Sequence, residues 1–281
     1  MSESFGQRLR AKMAERGQLC VGIDPHPALL REWGLDQDVV SLKRFSHTLL
    51  DAVADLVPAI KPQVALFERF GSAGIAVLEE LLAAAKDAGV LSIADAKRGD
   101  IGSTMAAYAE AWLQDGSPLA ADAVTLSPYL GFGSLRPALD LAESTGRGVF
   151  VLALTSNPEG PSVQHIGAGQ MTGSVAAGIV QEAAAENARA LQGAEGWGST
   201  GLVIGATVDD ALEQLGIDLG ALRGPILAPG LGAQGATGAD LRRVFGEAYP
   251  QVLATSSRGI AAAGPDRQAL REATQTTLAE L

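Results

Sequence analysis

Short apolar runs alternate with longer amphipathic stretches from one end of the chain to the other. Phe5, Leu9 and Met13 recur at every fourth position, which predicts a helix over residues 4–16. Leu19–Cys20–Val21–Gly22–Ile23 is a brief apolar run ending at Asp24. Prolines at 25 and 27 stop it there, so it reads as a strand. The alternation then predicts a helix over 39–56, a strand over 57–62 with Lys61 near its end, and a helix over 66–88 with Ile75, Leu78, Leu82 and Ala85 on one face. Residues 90–94 form a third strand running on toward Lys97, and a helix follows over 103–114. Further strands are expected at 122–127, 149–155, 202–206, 226–228 and 252–255. Helices follow them near 135–144, 172–191, 208–215, 239–247 and 266–280.

Strand-then-helix alternation implies parallel strands with helical crossovers, and eight such units are the number that closes a TIM (β/α)8 barrel. The expected fold is therefore that barrel with an extra N-terminal helix. A doubly wound open sheet is the alternative, but no early GxGxxG is present and polar residues mark the ends of most strands. The 281 residues suit one barrel spanning 1–281, since no low-complexity linker divides the chain. Apolar residues make up 47% and aromatics are few, so the core should be mostly Ala, Val, Leu and Ile.

Charge and cysteine content narrow the function. A net charge of −11 argues against a general affinity for nucleic acid or anionic membrane, yet leaves room for an anionic small ligand in a local basic pocket. Cys20 is the one cysteine, so there is no intrachain disulfide and no Cys-based zinc site. His26, His47 and His165 lie far apart without paired ligand spacing and read as surface or packing residues, not metal ligands. No stretch has signal-peptide character or membrane-spanning length, which predicts a soluble, cytoplasmic protein.

The candidate chemistry gathers at strand ends, where ligands sit in a barrel of this type. The third strand leads into DAKRGDIGST, residues 95–104. Strand alternation places Asp95 and Lys97 on one side of the sheet, with Asp100 just beyond, on a turn that Gly99 and Gly102 make flexible. An inert, salt-bridged strand end is one explanation. Charges near a core are costly to desolvate, however, and a chain that retains three of them has a use for them. Asp24 and Lys61 end the first two strands, Ser127 and Thr155–Ser156 the fourth and fifth. Two segments suit phosphate: APGLGAQGATG (228–238), with Gln234 as a side-chain donor, and SSRG (256–259), with the Arg258 guanidinium and free backbone N–H groups. A lysine flanked by carboxylates keeps its proton, so it suits proton donation better than Schiff-base attack.

DAKRGDIGST resembles the D-x-K-x-x-D-I-x-x-T motif of the orotidine 5′-phosphate decarboxylase family. Asp24 in VGIDP, Lys61 in AIKP, APGLGAQG and SSRG fall in that family's order, and LTSNPEG and TLSPYLGFGS resemble its longer-loop subgroup. The resemblance implies a homodimeric barrel that converts orotidine 5′-phosphate to UMP and CO2 with no metal and no cofactor. Carried over by position, it implies Asp95 beside the departing carboxylate, Lys97 protonating C6, Lys61 bridging Asp95 and the ribose, and Asp24 on the ribose hydroxyls. Asp100, Ile101 and Thr104 would reach the partner subunit's site. Ser156 would read the pyrimidine edge, with Ser127 as the alternative, and Gln234, Arg258 and the Gly259 amide would hold phosphate. The loop 157–173 is long, rich in Gly and Pro, and hard to align.

Three rivals remain on the residues. Metal-dependent sugar-phosphate enzymes share the D-x-K-x-x-D strand but hold their cation partly through an acidic residue on the second strand, where this chain has Lys61. A lysine Schiff-base aldolase and a nucleotide-binding barrel without catalysis are the others.

Overall fold

The computed structural model describes residues 3–171, 173–232 and 235–281. Its first element is helix α1 (Phe5–Arg16), followed by β1 (Leu19–Ile23), α2 (Pro27–Glu32), α3 (Val39–Val53) and β2 (Ala59–Pro62). Then come α4 (Ala65–Glu68), α5 (Gly71–Asp87), β3 (Leu91–Arg98), α6 (Gly102–Leu113), β4 (Ala123–Leu126), α7 (Arg136–Thr145) and β5 (Gly148–Leu154). The last part holds α8 (Pro161–Gln164), α9 (Val175–Leu191), β6 (Thr200–Ile204), α10 (Ala211–Gln214), β7 (Ile226–Pro229), α11 (Gly238–Phe245), β8 (Val252–Ser256), α12 (Arg258–Ala261) and α13 (Arg267–Ala279). The strands pair in chain order, all parallel, and β8 returns to β1. The barrel is closed, and the open-sheet alternative is excluded.

The apolar residues divide into two layers. The larger packs the outer faces of the strands against the helices, as with Leu42, Phe45 and Leu49 of α3. The smaller fills the barrel interior with Cys20, Ile93, Phe150, Val203, Leu227 and Leu253, and Phe5, Leu9 and Met13 of α1 pack against it. The repeat at every fourth position thus marks a plug. The N–H of Gly6 donates to Ser199 Oγ, and Arg8 pairs with Asp122 at 2.6 Å, both beside the strands' starting ends. The Phe5 ring meets Phe150 edge-on, with centroids 5.9 Å apart. A Cβ on Gly148 would lie 2.1 Å from the Phe5 ring, so the plug demands glycine at that position. With one end sealed by α1, only the carboxyl end of the barrel can open to a ligand.

Most expected elements appear within a few residues of their predicted limits, and the departures have local causes. The helix expected over 66–88 is two helices, because Gly71 takes a left-handed φ of 64° at the junction. The helix expected over 208–215 shrinks to the single turn α10. The pattern gave no sign of α2, α8 and α12, since four to six residues are too few for a hydrophobic period to show.

Candidate active site

The loops at the carboxyl ends of β1, β2, β3, β7 and β8 surround a cavity of about 320 Å³. Val203 and Leu227 form its floor, the upper layer of the barrel core. Lys61, Asp95 and Lys97 line it from β2 and β3, Gly230 and Arg258 from beyond β7 and β8, and Asp24 from beyond β1 between the two groups. The cavity therefore has a charged wall on β2 and β3 and a glycine-and-arginine wall beyond β7 and β8.

Asp95 is the centre of the first wall. It is buried, and both carboxylate oxygens are fully engaged. Oδ2 accepts from Lys61 Nζ at 2.8 Å and from Gln63 Nε2 at 3.2 Å. Oδ1 accepts from Lys97 Nζ at 2.6 Å and from Thr125 Oγ1 at 3.0 Å. Thr125 Oγ1 in turn accepts the backbone N–H of Lys97 at 2.9 Å, so one β4 hydroxyl ties both residues of the β3 pair.

Asp95 and Lys97 do share a side, but simple alternation does not place them there. The β3–β4 register shifts between Ala94 and Arg98, and Lys97 adopts a φ of 49°. A left-handed backbone at a long side chain is uncommon and costs of order 1–3 kcal/mol. The Thr125 bond and the Asp95 ion pair hold it. Gly99 also differs from expectation: a Cβ there would lie 2.3 Å from the Ser127 carbonyl oxygen, so close approach, not flexibility, requires glycine. Gly102 has the left-handed φ, 53°.

The two lysines have different surroundings. The Lys61 side chain is 7% exposed and that of Lys97 is 45% exposed. Burial alone would lower the Lys61 pKa, but the Asp95 and Asp24 carboxylates outweigh it and raise the pKa above the ordinary lysine value. Burial likewise disfavours charge on Asp95, yet the Lys61 and Lys97 ammonium groups hold its carboxyl well below the usual range. Lys61 and Asp95 are thus a buried pair that each holds the other in its charged form. Lys61 is the sealed lysine and Lys97 the accessible one.

Asp24 Oδ1 is buried without a hydrogen-bond partner among the described residues. His26 also lines the cavity, its backbone N–H donating to the Asp24 backbone carbonyl at 2.7 Å. On the glycine-and-arginine wall the Arg258 side chain forms no salt bridge among the described residues, and no acceptor there takes the Arg258 or Gly259 N–H. Gln234 lies outside the described residues. Ser156 is exposed beyond β5, Ser127 is half-buried beyond β4, and neither is among the cavity's lining residues. Asp100, Ile101 and Thr104 lie on the β3–α6 loop and the start of α6, outside this chain's cavity. Ile101 is 61% exposed.

Sequence reasoning missed Gln63, Thr125 and Ser257. Gln63 follows the second strand by one residue, and Thr125 is the one hydroxyl within the four residues of β4, AVTL. A polar side chain in a strand buried on both faces was the available signal.

Residues 17–273 match the family model described as orotidine 5′-phosphate decarboxylase / HUMPS family. The chain belongs to this family. Within it, the chain is 57% identical over 279 residues to the orotidine 5′-phosphate decarboxylase of Streptomyces coelicolor, covering 99% of this chain and 97% of that protein. It is 50% identical to the enzyme of the same name from Corynebacterium efficiens, covering 100% of this chain and 98% of the relative. The barrel superposes on a crystal structure of a candidate orotidine 5′-phosphate decarboxylase from Streptomyces avermitilis with a TM-score of 0.93 at 56% identity, covering 99% and 95% of the two chains. For the Leishmania donovani OMP decarboxylase the TM-score is 0.76 at 31% identity, covering 98% of each.

The fixed charges set an expected pH dependence of stability. Because its folded pKa is depressed, Asp95 contributes stability above the ordinary carboxylate pKa of about 3.9, and loses it as pH falls toward the folded value. Asp95→Asn leaves the Lys61 charge buried without its partner and should cost about 3–5 kcal/mol at neutral pH. Urea unfolding should show the gap between parent and variant narrowing below a pH of about 4. A gap independent of pH would contradict this charge assignment.

Proposed function

We propose that the protein decarboxylates orotidine 5′-phosphate to UMP and CO2, the last step of de novo pyrimidine nucleotide synthesis. The observation that carries this reading is the half-exposed Lys97 side chain, its ammonium held 2.6 Å from a buried carboxylate in the cavity that Arg258 also lines. The relatives of the same name, more than half identical over nearly the whole chain, support it.

Loss of CO2 leaves an electron pair and negative charge at C6 of the pyrimidine. A fixed ammonium beside C6 stabilises that charge as it develops and then delivers a proton to it. Lys97 fills this role, and Asp95 sits beside the departing carboxylate. Lys61 bridges Asp95 and the ribose, and Asp24, whose buried Oδ1 lacks a partner, accepts from ribose hydroxyls. Arg258 and the Gly259 N–H grip the 5′-phosphate, joined by Gln234. Ser156 reads the pyrimidine edge, with Ser127 as the alternative. Enzymes lower barriers by roughly 8–23 kcal/mol, and a direct decarboxylation uses the upper part of that range. No single lysine supplies so much, so binding energy from the distant phosphate must hold the array on the reacting ring.

The family's other branch offers the competing chemistry of metal-dependent sugar-phosphate enzymes. Lys61 stands at the end of β2, where a cation would be repelled, so the reaction proposed here uses no metal. The test is orotidine 5′-phosphate mixed with the protein in EDTA. Prompt loss of the orotate absorbance with UMP formed is expected. An intact chromophore, with activity appearing only on keto-sugar phosphates plus magnesium, would overturn the reading.

The site is completed across a homodimer. Exposed Ile101 on the β3–α6 loop and exposed Tyr129 and Leu130 on the loop after β4 give neighbouring loops an apolar surface that a second copy covers. It would carry Asp100, Ile101 and Thr104 into the partner's cavity. Ile101→Glu should shift the protein toward monomer in sedimentation, with turnover per subunit falling as the sample is diluted. A monomer with parent-like turnover would remove the shared-site assignment.

A further inference from the structure

Ser257 holds the N-cap position of α12, where a serine hydroxyl ordinarily accepts a backbone N–H of the first turn. It makes no such bond. Its Oγ is buried and has no partner among the described residues, although the residue lines the cavity. A buried hydroxyl left unpaired costs about 1–3 kcal/mol, so an uncapped serine at the edge of a cavity calls for an explanation.

The second buried orphan in the same cavity is Asp24 Oδ1, and the two are neighbours. A Cβ on Gly22 would lie 3.2 Å from Ser257 Oγ and 3.3 Å from Asp24 Oδ1, so both atoms flank one glycine of β1. It would also lie 2.7 Å from Ser257 Cβ, which explains why the strand has no side chain there. The hydroxyl and the carboxylate do not bond each other. One is an acceptor only; the other both donates and accepts. A ligand hydroxyl satisfies both together, donating to Asp24 and accepting from Ser257.

We propose that Ser257 is a substrate-binding residue that shares one ribose hydroxyl with Asp24 and makes the site selective for ribonucleotides over deoxyribonucleotides. This rests on the nucleotide reading above and adds to it a second contact to the sugar. Ser257 precedes Arg258 directly, so the β8–α12 turn holds the sugar and the phosphate with adjacent residues. A site built to bond a hydroxyl rejects the analogue that lacks it, because its own polar groups are then left unpaired.

The test pairs Ser257→Ala with orotidine 5′-phosphate and with its 2′-deoxy and 3′-deoxy analogues. On the full substrate, kcat/KM should fall roughly tenfold, mainly through KM, because the contact is made in ground and transition states alike. On one of the two deoxy analogues, parent and variant should be nearly equal. The variant's melting temperature should match or exceed the parent's, since an unpaired buried hydroxyl has been removed; a serine kept for structure would do the reverse. Should Ser257→Ala fail to fold, Ser257→Gly removes the same hydroxyl and carries the same expectation. Unchanged kinetics on the full substrate, or an equal loss on all three, would overturn the proposal while leaving the decarboxylase reading in place. Failure of the parent enzyme to turn over the full substrate would overturn both.

Discussion

One buried carboxylate organises the charged wall of the cavity. Asp95 has both oxygens occupied, each by one ammonium and one neutral donor: Lys61 with Gln63, and Lys97 with Thr125. Burying such charges is expensive, and well-packed apolar replacements are often no less stable. Their arrangement is better understood as positioning. The carboxylate fixes Lys97 at a point on the barrel rim, and the bulged, left-handed backbone at Lys97 is the deformation that lets a residue two along the strand reach that point.

The fold supplies what this array needs. α1 closes one end with Phe5, Leu9 and Met13, so the interior is packed with apolar side chains up to Val203 and Leu227. In such surroundings fixed charges interact more strongly than in water and need no reorganisation as the reaction proceeds. The glycine-rich loop after β7 and the turn after β8 contribute Gly230, Leu231 and Arg258 to the same cavity.

Much of this was legible in the sequence because the periods were clean. Eight apolar runs of strand length, most ending in polar residues, predicted the barrel count, and the repeat of Phe5, Leu9 and Met13 predicted the helix that proves to be the plug. The motif DAKRGDIGST marked the central charges. What periodicity could not show were contacts made across strands. Thr125 sits on β4, about thirty residues from the aspartate it bonds, and nothing local in AVTL announces that partnership. The reach of Lys97 was expected for the wrong reason, since a bulge cannot be read from alternating residues. One-turn helices such as α12 left no pattern, which hid the uncapped hydroxyl of Ser257.

The account depends on Lys97 acting at the reacting carbon, with Asp95 and Lys61 holding it there. The most direct test compares Lys97→Ala with the parent enzyme in two measurements, turnover of orotidine 5′-phosphate and affinity for UMP. Turnover should fall by at least roughly 10³-fold while the fold and most of the nucleotide affinity persist. Near-parent turnover in that variant would contradict the account, because another group would then have to supply the proton.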